Sequence, residues 1–359
     1  MSGFDPTTDN MPSFFPGLEL NASFYNEVVR PLVGPWSHSA ALLGWGSEIL
    51  GFDTTRSTDH GWGPRVLVFV APEDVEDART AVEKGLPNDF EGWPIRYGWD
   101  DTPVQHHVGV HALGGWLEHQ LGFDPRDRLD YVDWLVTPQQ QILGVVGGAV
   151  FHDGLGELHP LREQLRWYPT SVWIWMLACG WKRISQEEAF VGRAAEGGDD
   201  LGSRLIASRL VRELMRLCFL LQRQHWPYSK WFGSAFARLK DDDNLGGVLS
   251  GVLEARNHDA RERSLVEAYE RVAARHNASG LTERVDPSVR EFHGRGSRVL
   301  LADRFVEACV KEISDPWLRA QPLVGSVDQF VDSTDALYAD RARRLRNIYV
   351  ALDQLRAPR

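Results

Sequence analysis

The stretch best suited to chemistry runs Gly44-Trp-Gly-Ser-Glu-Ile-Leu-Gly-Phe-Asp53 and, after three residues, Ser57-Thr-Asp-His-Gly-Trp-Gly-Pro-Arg65. Glycine lets backbone amides come close to phosphate oxygens, and a serine hydroxyl adds a donor. Gly46, Ser47, Ser57 and Arg65 are therefore candidate nucleotide contacts. A carboxylate at the mouth of the next strand can hold a divalent cation against the same phosphates, which singles out Asp59 as catalytic residue and metal ligand. Glu48 and Asp53 are further carboxylates in this loop. The plainer alternative is a turn-rich segment in which Ser57 and Asp59 cap local backbone.

Two other clusters carry polar chemistry. His107 and His111 flank Gly109, and period-two alternation puts all three on one strand face. Together with Asp59 they would form a two-histidine, one-carboxylate set that prefers Zn²⁺, Mn²⁺ or Fe²⁺ to Mg²⁺; otherwise they are hydrogen-bonded strand residues. Further along, Gln186, Glu187, Glu188 and Arg193 fall within two helical turns, and Asp199-Asp200 precede Leu-Gly-Ser-Arg204. A helix start with Ser203 and Arg204 suits an anion. In the structural alternative Asp199 or Asp200 is an N-cap and Arg204 pairs with Glu187 or Glu188. Lys230, next to Trp231, is a last candidate nucleotide contact, or part of a helix start with packed aromatics.

The elements that must position these residues divide the chain in two. Over 1–155 helix and strand signals alternate: a helix over 18–33, a short strand over 39–44, the β-branched run Arg65–Ala71, an acidic-led helix over 73–83 and a strand over 106–113. From 156 to 359 the 3.6-residue spacing of helices dominates, over 172–181, 186–193, 201–224, 229–240, 245–256, 261–276, 299–313 and 334–355. The spacing thus predicts an α+β chain, a small mixed-sheet domain followed by an α-helical bundle domain. Trp173, Trp175 and Trp181 read as core.

Four strings add a resemblance. Gly46 to Asp53, Asp59 to Arg65, Ile184-Ser-Gln-Glu-Glu-Ala-Phe-Val-Gly-Arg193 and Pro227-Tyr-Ser-Lys-Trp-Phe-Gly233 resemble a family of nucleotidyltransferase-like proteins known as a domain of unknown function, within the DNA-polymerase-β-type superfamily. The resemblance covers roughly residues 15 to 240. It implies a minimal nucleotidyltransferase fold with a helical C-terminal domain, similar in outline to kanamycin nucleotidyltransferase. It also implies transfer of a nucleoside monophosphate from an NTP to a small-molecule or protein acceptor with Mg²⁺ or Mn²⁺. Active relatives use an Asp-x-Asp pair and a third carboxylate on a neighbouring strand, stabilising both oxygens of an in-line displacement. Here Asp59 takes the first place, Gly61 stands at the second, and Gly109 best matches the third. The alternative is therefore a catalytically degenerate protein that holds a nucleotide or another ligand in a regulatory role.

Composition sets the outer bounds. The 359 residues carry 39 Lys plus Arg against 50 Asp plus Glu, a net charge of −11, which argues against a general nucleic-acid or anionic-membrane surface. Cys179, Cys218 and Cys309 stand alone, without metal or disulfide spacing, and fit a reducing compartment. The opening residues lack the basic and apolar regions of a signal peptide, and no apolar run reaches 18 residues. The expectation is a cytoplasmic protein with a nucleotide partner and no membrane partner.

Overall fold

The computed structural model describes residues 13–100, 102–294 and 296–349; the readings made for the opening residues and for 350–355 lie outside them. The chain is α+β, with a mixed sheet and helices followed by a largely helical region. The described residues form two compact units, one running up to Leu129 and over Gln141–Arg166, the other over Asp130–Gln140 and from Trp167 onward.

In the sheet unit the helix expected over 18–33 is present as α1 (Gly17–Phe24), a wider turn at Tyr25–Val29 and a last helical stretch, Arg30–Val33. The strands are β1 (His38–Leu42), β2 (Arg65–Val70), β3 (Arg96–Trp99), β4 (Thr102–His111) and β5 (Ala149–Asp153), in the spatial order β3-β4-β2-β1-β5. Helix α2 (Val75–Gly85) follows β2, and α3 (Leu113–Leu121) follows β4. Only β2 and β4 run parallel, with Arg65 opposite His107, Leu67 opposite Gly109 and Phe69 opposite His111. Alternation then sorts the side chains. Val66, Val68, Val70, Val108 and Val110 enter a core with Phe24, Val29, Ala78 and Val82. The odd-numbered residues, Arg65, Leu67, His107, Gly109 and His111, lie on the other face. Strand β5 falls between Gly148 and Gly154, where the sequence pattern predicts no strand, because a five-residue edge strand has too few side chains to register a period.

The helical unit is built on α4 (Thr170–Glu187), α5 (Phe190–Glu196), α6 (Asp200–Leu221), α7 (Leu245–Glu254), α8 (His258–Ala278) and α9 (Asp303–Glu312). Helix α4 packs on α6 and α9, and α6 also packs on α5 and α8. The tryptophans of α4 are core as read: Trp175 and Trp181 are fully buried, Trp173 donates from Nε1 to the Leu220 carbonyl at 2.8 Å, and Trp181 donates to Nδ1 of His276 at 3.1 Å. The helix expected over 334–355 is, in its described part, broken into short turns over Thr334–Leu337, Ala339–Ala342 and Arg343–Arg346.

Candidate functional site

The odd-numbered face of β2 and β4 opens into a cleft of about 240 Å³ lined by Leu42, Trp45, Arg65, Leu67, Gln105, His107 and Gly109, among others. Its floor is an ion pair. Glu48, 2% exposed, accepts from Nε of Arg65 at 2.8 Å and from Nη2 at 2.6 Å. The same Nη2 donates to the Trp45 carbonyl, and the guanidinium lies 4.7 Å over the Trp45 ring. The Arg65 backbone is fixed in turn by Asn21, whose Oδ1 accepts from its N–H at 2.6 Å. Nη1 has no partner among the described residues.

Gly46 has φ +125°, a conformation that favours glycine. A Cβ built there would stand 2.6 Å from Nη2 of Arg65 and 2.6 Å from Oε2 of Glu48. The close approach that the Gly46-Ser47 turn permits is thus filled by the protein's own ion pair. Ser47 forms a turn in which its carbonyl accepts from Leu50 and Phe52. Asp53 is a tie within the fold: its Oδ2 accepts from the Gly17 N–H at 2.6 Å and from Nε1 of Trp62 at 3.1 Å.

Asp59 is where the strand reading needs correcting. Thr55–Asp59 is a 3₁₀ turn, with Thr54 and Ser57 forming a reciprocal capping box in which the Ser57 hydroxyl accepts from the Thr54 N–H at 3.1 Å. Gly61 follows in the left-handed region at φ +63°, and β2 begins only at Arg65. Residues 59 and 61 therefore do not alternate on one strand face, and Asp59 is exposed. The residues that do face Gly109 and His107 across β2 and β4 are Leu67 and Arg65.

Nor are Asp59, His107 and His111 gathered: among the described residues no three His, Cys, Asp or Glu side chains come together to hold a metal. Four residues of extended strand separate the two histidine Cα atoms by about 13 Å. His107 is drawn between Tyr97 and Trp99, with ring centroids at 4.3 and 5.0 Å, and its Nε2 donates to the Tyr97 carbonyl at 3.0 Å. Burial, with Arg65 nearby, holds its imidazole below the ordinary histidine range, so Nδ1 is left as an acceptor. Burial, helped by Arg79, also holds His111 down. Its ring fills the space over Gly109, with Nε2 only 2.7 Å from where a Cβ at 109 would stand. The donor set does not fit the two-cation centre that the resemblance implies, since the facing positions carry Arg65, Leu67 and Gly109.

The remaining candidates belong to the helical unit. Arg193 lies 5.7 Å over the Phe190 ring, and Lys230 lies 5.0 Å over Trp231. Asp199 is the N-cap of α6, accepting from Gly202 at 2.7 Å. Arg204 has both ends engaged, by Asp200 at 2.7 Å and by the Ala255 and Arg256 carbonyls at 2.8 and 2.9 Å beyond the end of α7. Glu188 does not pair with Arg204; it accepts from the backbone N–H groups of Leu300, Leu301 and Ala302. The sequence reading missed Trp45 and Gln105 as cleft residues, and Tyr97 and Trp99 as the rings that hold His107. Their one signal was an aromatic density, Trp93 to Trp99, beside the histidine-bearing strand.

The fold is thus an α+β fold with a helical C-terminal region, as the resemblance implies. Residues 134–232 match the model of a family described as a domain of unknown function, DUF4037. That span includes Ile184 to Arg193 and most of Pro227 to Gly233, but not the Gly46 and Asp59 strings. A nucleotidyltransferase-like protein from Exiguobacterium sibiricum 255-15 is similar over 82% of this chain and 89% of its own, with 12% identity and a TM-score of 0.32, too low to bear on function. No curated protein matches the chain. Among the described residues no helix is long and apolar enough to cross a membrane.

Proposed function

We propose that this chain is a ligand-binding protein on a nucleotidyltransferase-like scaffold and that it does not transfer nucleotides. The observation that carries this reading is the buried Glu48–Arg65 pair against Gly46. In a transferase of this type the glycine-serine turn leaves room for phosphate and the facing strands supply carboxylates for cations. Here the room beside Gly46 is taken by a guanidinium and a carboxylate that neutralise each other, and the facing strand positions are cationic, apolar and empty of side chain. A cleft remains, so binding is retained without the groups that would stabilise the charge developing in phosphoryl transfer.

Incubating the protein with each of the four NTPs and Mg²⁺ or Mn²⁺, with glycerol, amines and the protein itself as acceptors, tests this reading. No pyrophosphate release above the buffer rate is expected. Pyrophosphate release that scales with enzyme and is abolished by Asp59→Asn would overturn it in favour of metal-dependent nucleotidyl transfer.

A further inference from the structure

We infer that the cleft recognises the edge and face of a neutral heteroaromatic ring, a nucleobase or nucleoside, rather than a polyphosphate. The inference rests on the binding reading above and names its ligand class.

Four features of the cleft carry it. The first is hydrogen-bonding valence. Of the guanidinium nitrogens of Arg65, Nε and Nη2 are engaged by Glu48 and Trp45, and only Nη1 has no described partner. On the adjacent strand, directly in register, His107 has Nε2 engaged by the Tyr97 carbonyl and Nδ1 without a described partner. The pair therefore offers one donor and one acceptor from neighbouring strands. Gln105, exposed and two residues along the same face, adds an amide that can do either. Nucleobases present adjacent donors and acceptors along one edge in this manner.

The second feature is aromatic surface. Trp45 is 51% exposed, lines the cleft and is steadied by Arg65 and by Trp99 at 5.3 Å. A large apolar ring kept half in solvent is a platform on which any base can stack. The third is charge. Arg65 is the one Lys, Arg, Asp or Glu among the cleft's lining residues, and Glu48 already neutralises it. Nothing there offsets the three to four negative charges of a triphosphate. The fourth is size. At about 240 Å³ the cleft falls below the roughly 300–1,000 Å³ that encloses a drug-sized ligand, so it takes a ring system and leaves its substituents in solvent.

Calorimetric titration of the full chain with adenosine, guanosine, cytidine and uridine, and with their 5′-triphosphates, each with EDTA and with Mg²⁺, tests the inference. At least one nucleoside should bind, its triphosphate should bind within about threefold of it, and Mg²⁺ should change neither. His107→Phe, which keeps a ring between Tyr97 and Trp99 but removes the acceptor, should weaken binding at least tenfold. Gln105→Leu, at an exposed strand position where folding is not at stake, should weaken it severalfold. No nucleoside binding at millimolar concentration overturns the inference. So does a triphosphate that binds tenfold or more tighter than its nucleoside, and so does unchanged affinity in both variants. These failures leave the binding reading intact, because that reading falls only with enzyme-dependent pyrophosphate release.

Discussion

Glu188 in the helical unit and Arg65 in the sheet unit are both buried charged residues, but their hydrogen-bonding valences are filled differently. Both carboxylate oxygens of Glu188 accept from backbone N–H groups, those of Leu300, Leu301 and Ala302, at 2.7 to 3.2 Å. This ties the residue after α4 to the approach of α9. Asp200 similarly bridges Arg204 and the fully buried Arg261. In the sheet unit Arg65 and His107 each keep one nitrogen without a described partner, and both line a cleft. Dense polar strings in a sequence thus have two origins. Some, as at Glu188 and Asp200, tie elements of the helical unit together, although Nε and Nη1 of the buried Arg261 have no described partner. Others, as at Arg65 and His107, bring polar atoms to a cleft.

The sharpest way to break this comparison is at the ion pair. Removing one partner of a buried pair strands the other charge, at a cost of about 3–5 kcal/mol. Arg65→Met should therefore lower the stability of the sheet unit by about that amount in a denaturant titration. The double change Glu48→Leu with Arg65→Met should recover most of it, since a well-packed apolar pair is often as stable as the ion pair it replaces. If the single change costs under about 1 kcal/mol, the pair is not the desolvated floor of the cleft.

Next in size, Glu188→Ala leaves three backbone N–H groups without their acceptor. Each buried orphan costs about 1–3 kcal/mol, tempered by water entering the space, so a loss of about 3 kcal/mol in the helical unit is expected. Nucleoside affinity should stay as it is. A variant that folds with wild-type stability would show that Glu188 is not a structural tie and would return it to the functional candidates.

A smaller effect follows from protons. Burial pushes Glu188 up to about 7 and Asp328 up to about 6, against the opposing pull of the backbone N–H groups each accepts from. Folded-state values above the unfolded ones mean that the native protein holds protons the unfolded chain has released. This contribution is fully present below the ordinary carboxylate range and is lost as pH rises through about 6 to 7. Burial acts oppositely on His276, held down to about 4, whose contribution is lost as pH falls from the ordinary histidine range. The clean readout is therefore a difference: the stability deficit of Glu188→Gln relative to wild type should shrink between pH 5 and pH 8. A deficit that grows over that range would reverse the sign and mean that the charged form is the favoured one.

What the sequence reveals follows the same division. Unbroken β-branched runs such as Val66 to Val70, and long amphipathic or apolar spans such as α4, α6 and α8, announce themselves because a single period extends over many residues. The α+β class and the helical C-terminal region are legible for that reason. Strands β3 and β5 are not, being four or five residues of mixed character, and β5 pairs with the sequence-distant β1. At the candidate site, Gly46, Arg65 and His107 are legible as residues, but not their contacts. Glu48 and Arg65 lie 17 positions apart, and no local rule pairs them. The strand reading of 59–61 fails because Pro64 and three glycines, Gly61, Gly63 and Gly51, shape a loop whose turns depend on Trp62 docking to Asp53.

The smallest expected effect is at Gly61, where the comparison is sharpened most cheaply. Restoring the second acid of Asp-x-Asp there would rebuild a cation site only if residues 59 and 61 shared a strand face with Leu67 and Gly109. The loop instead holds Gly61 at φ +63°, and a Cβ there would stand 3.0 Å from the Trp45 ring and 3.4 Å from that of Trp99. Aspartate is among the residues that tolerate the left-handed region, so Gly61→Asp should cost only about 1 kcal/mol. The added carboxylate should shift Trp45 slightly and weaken nucleoside binding a fewfold, with no Mg²⁺ dependence. Nucleotide binding by Gly61→Asp that becomes tighter with Mg²⁺ would place residue 61 among the cation ligands and make the sheet unit a transferase centre one substitution away from activity.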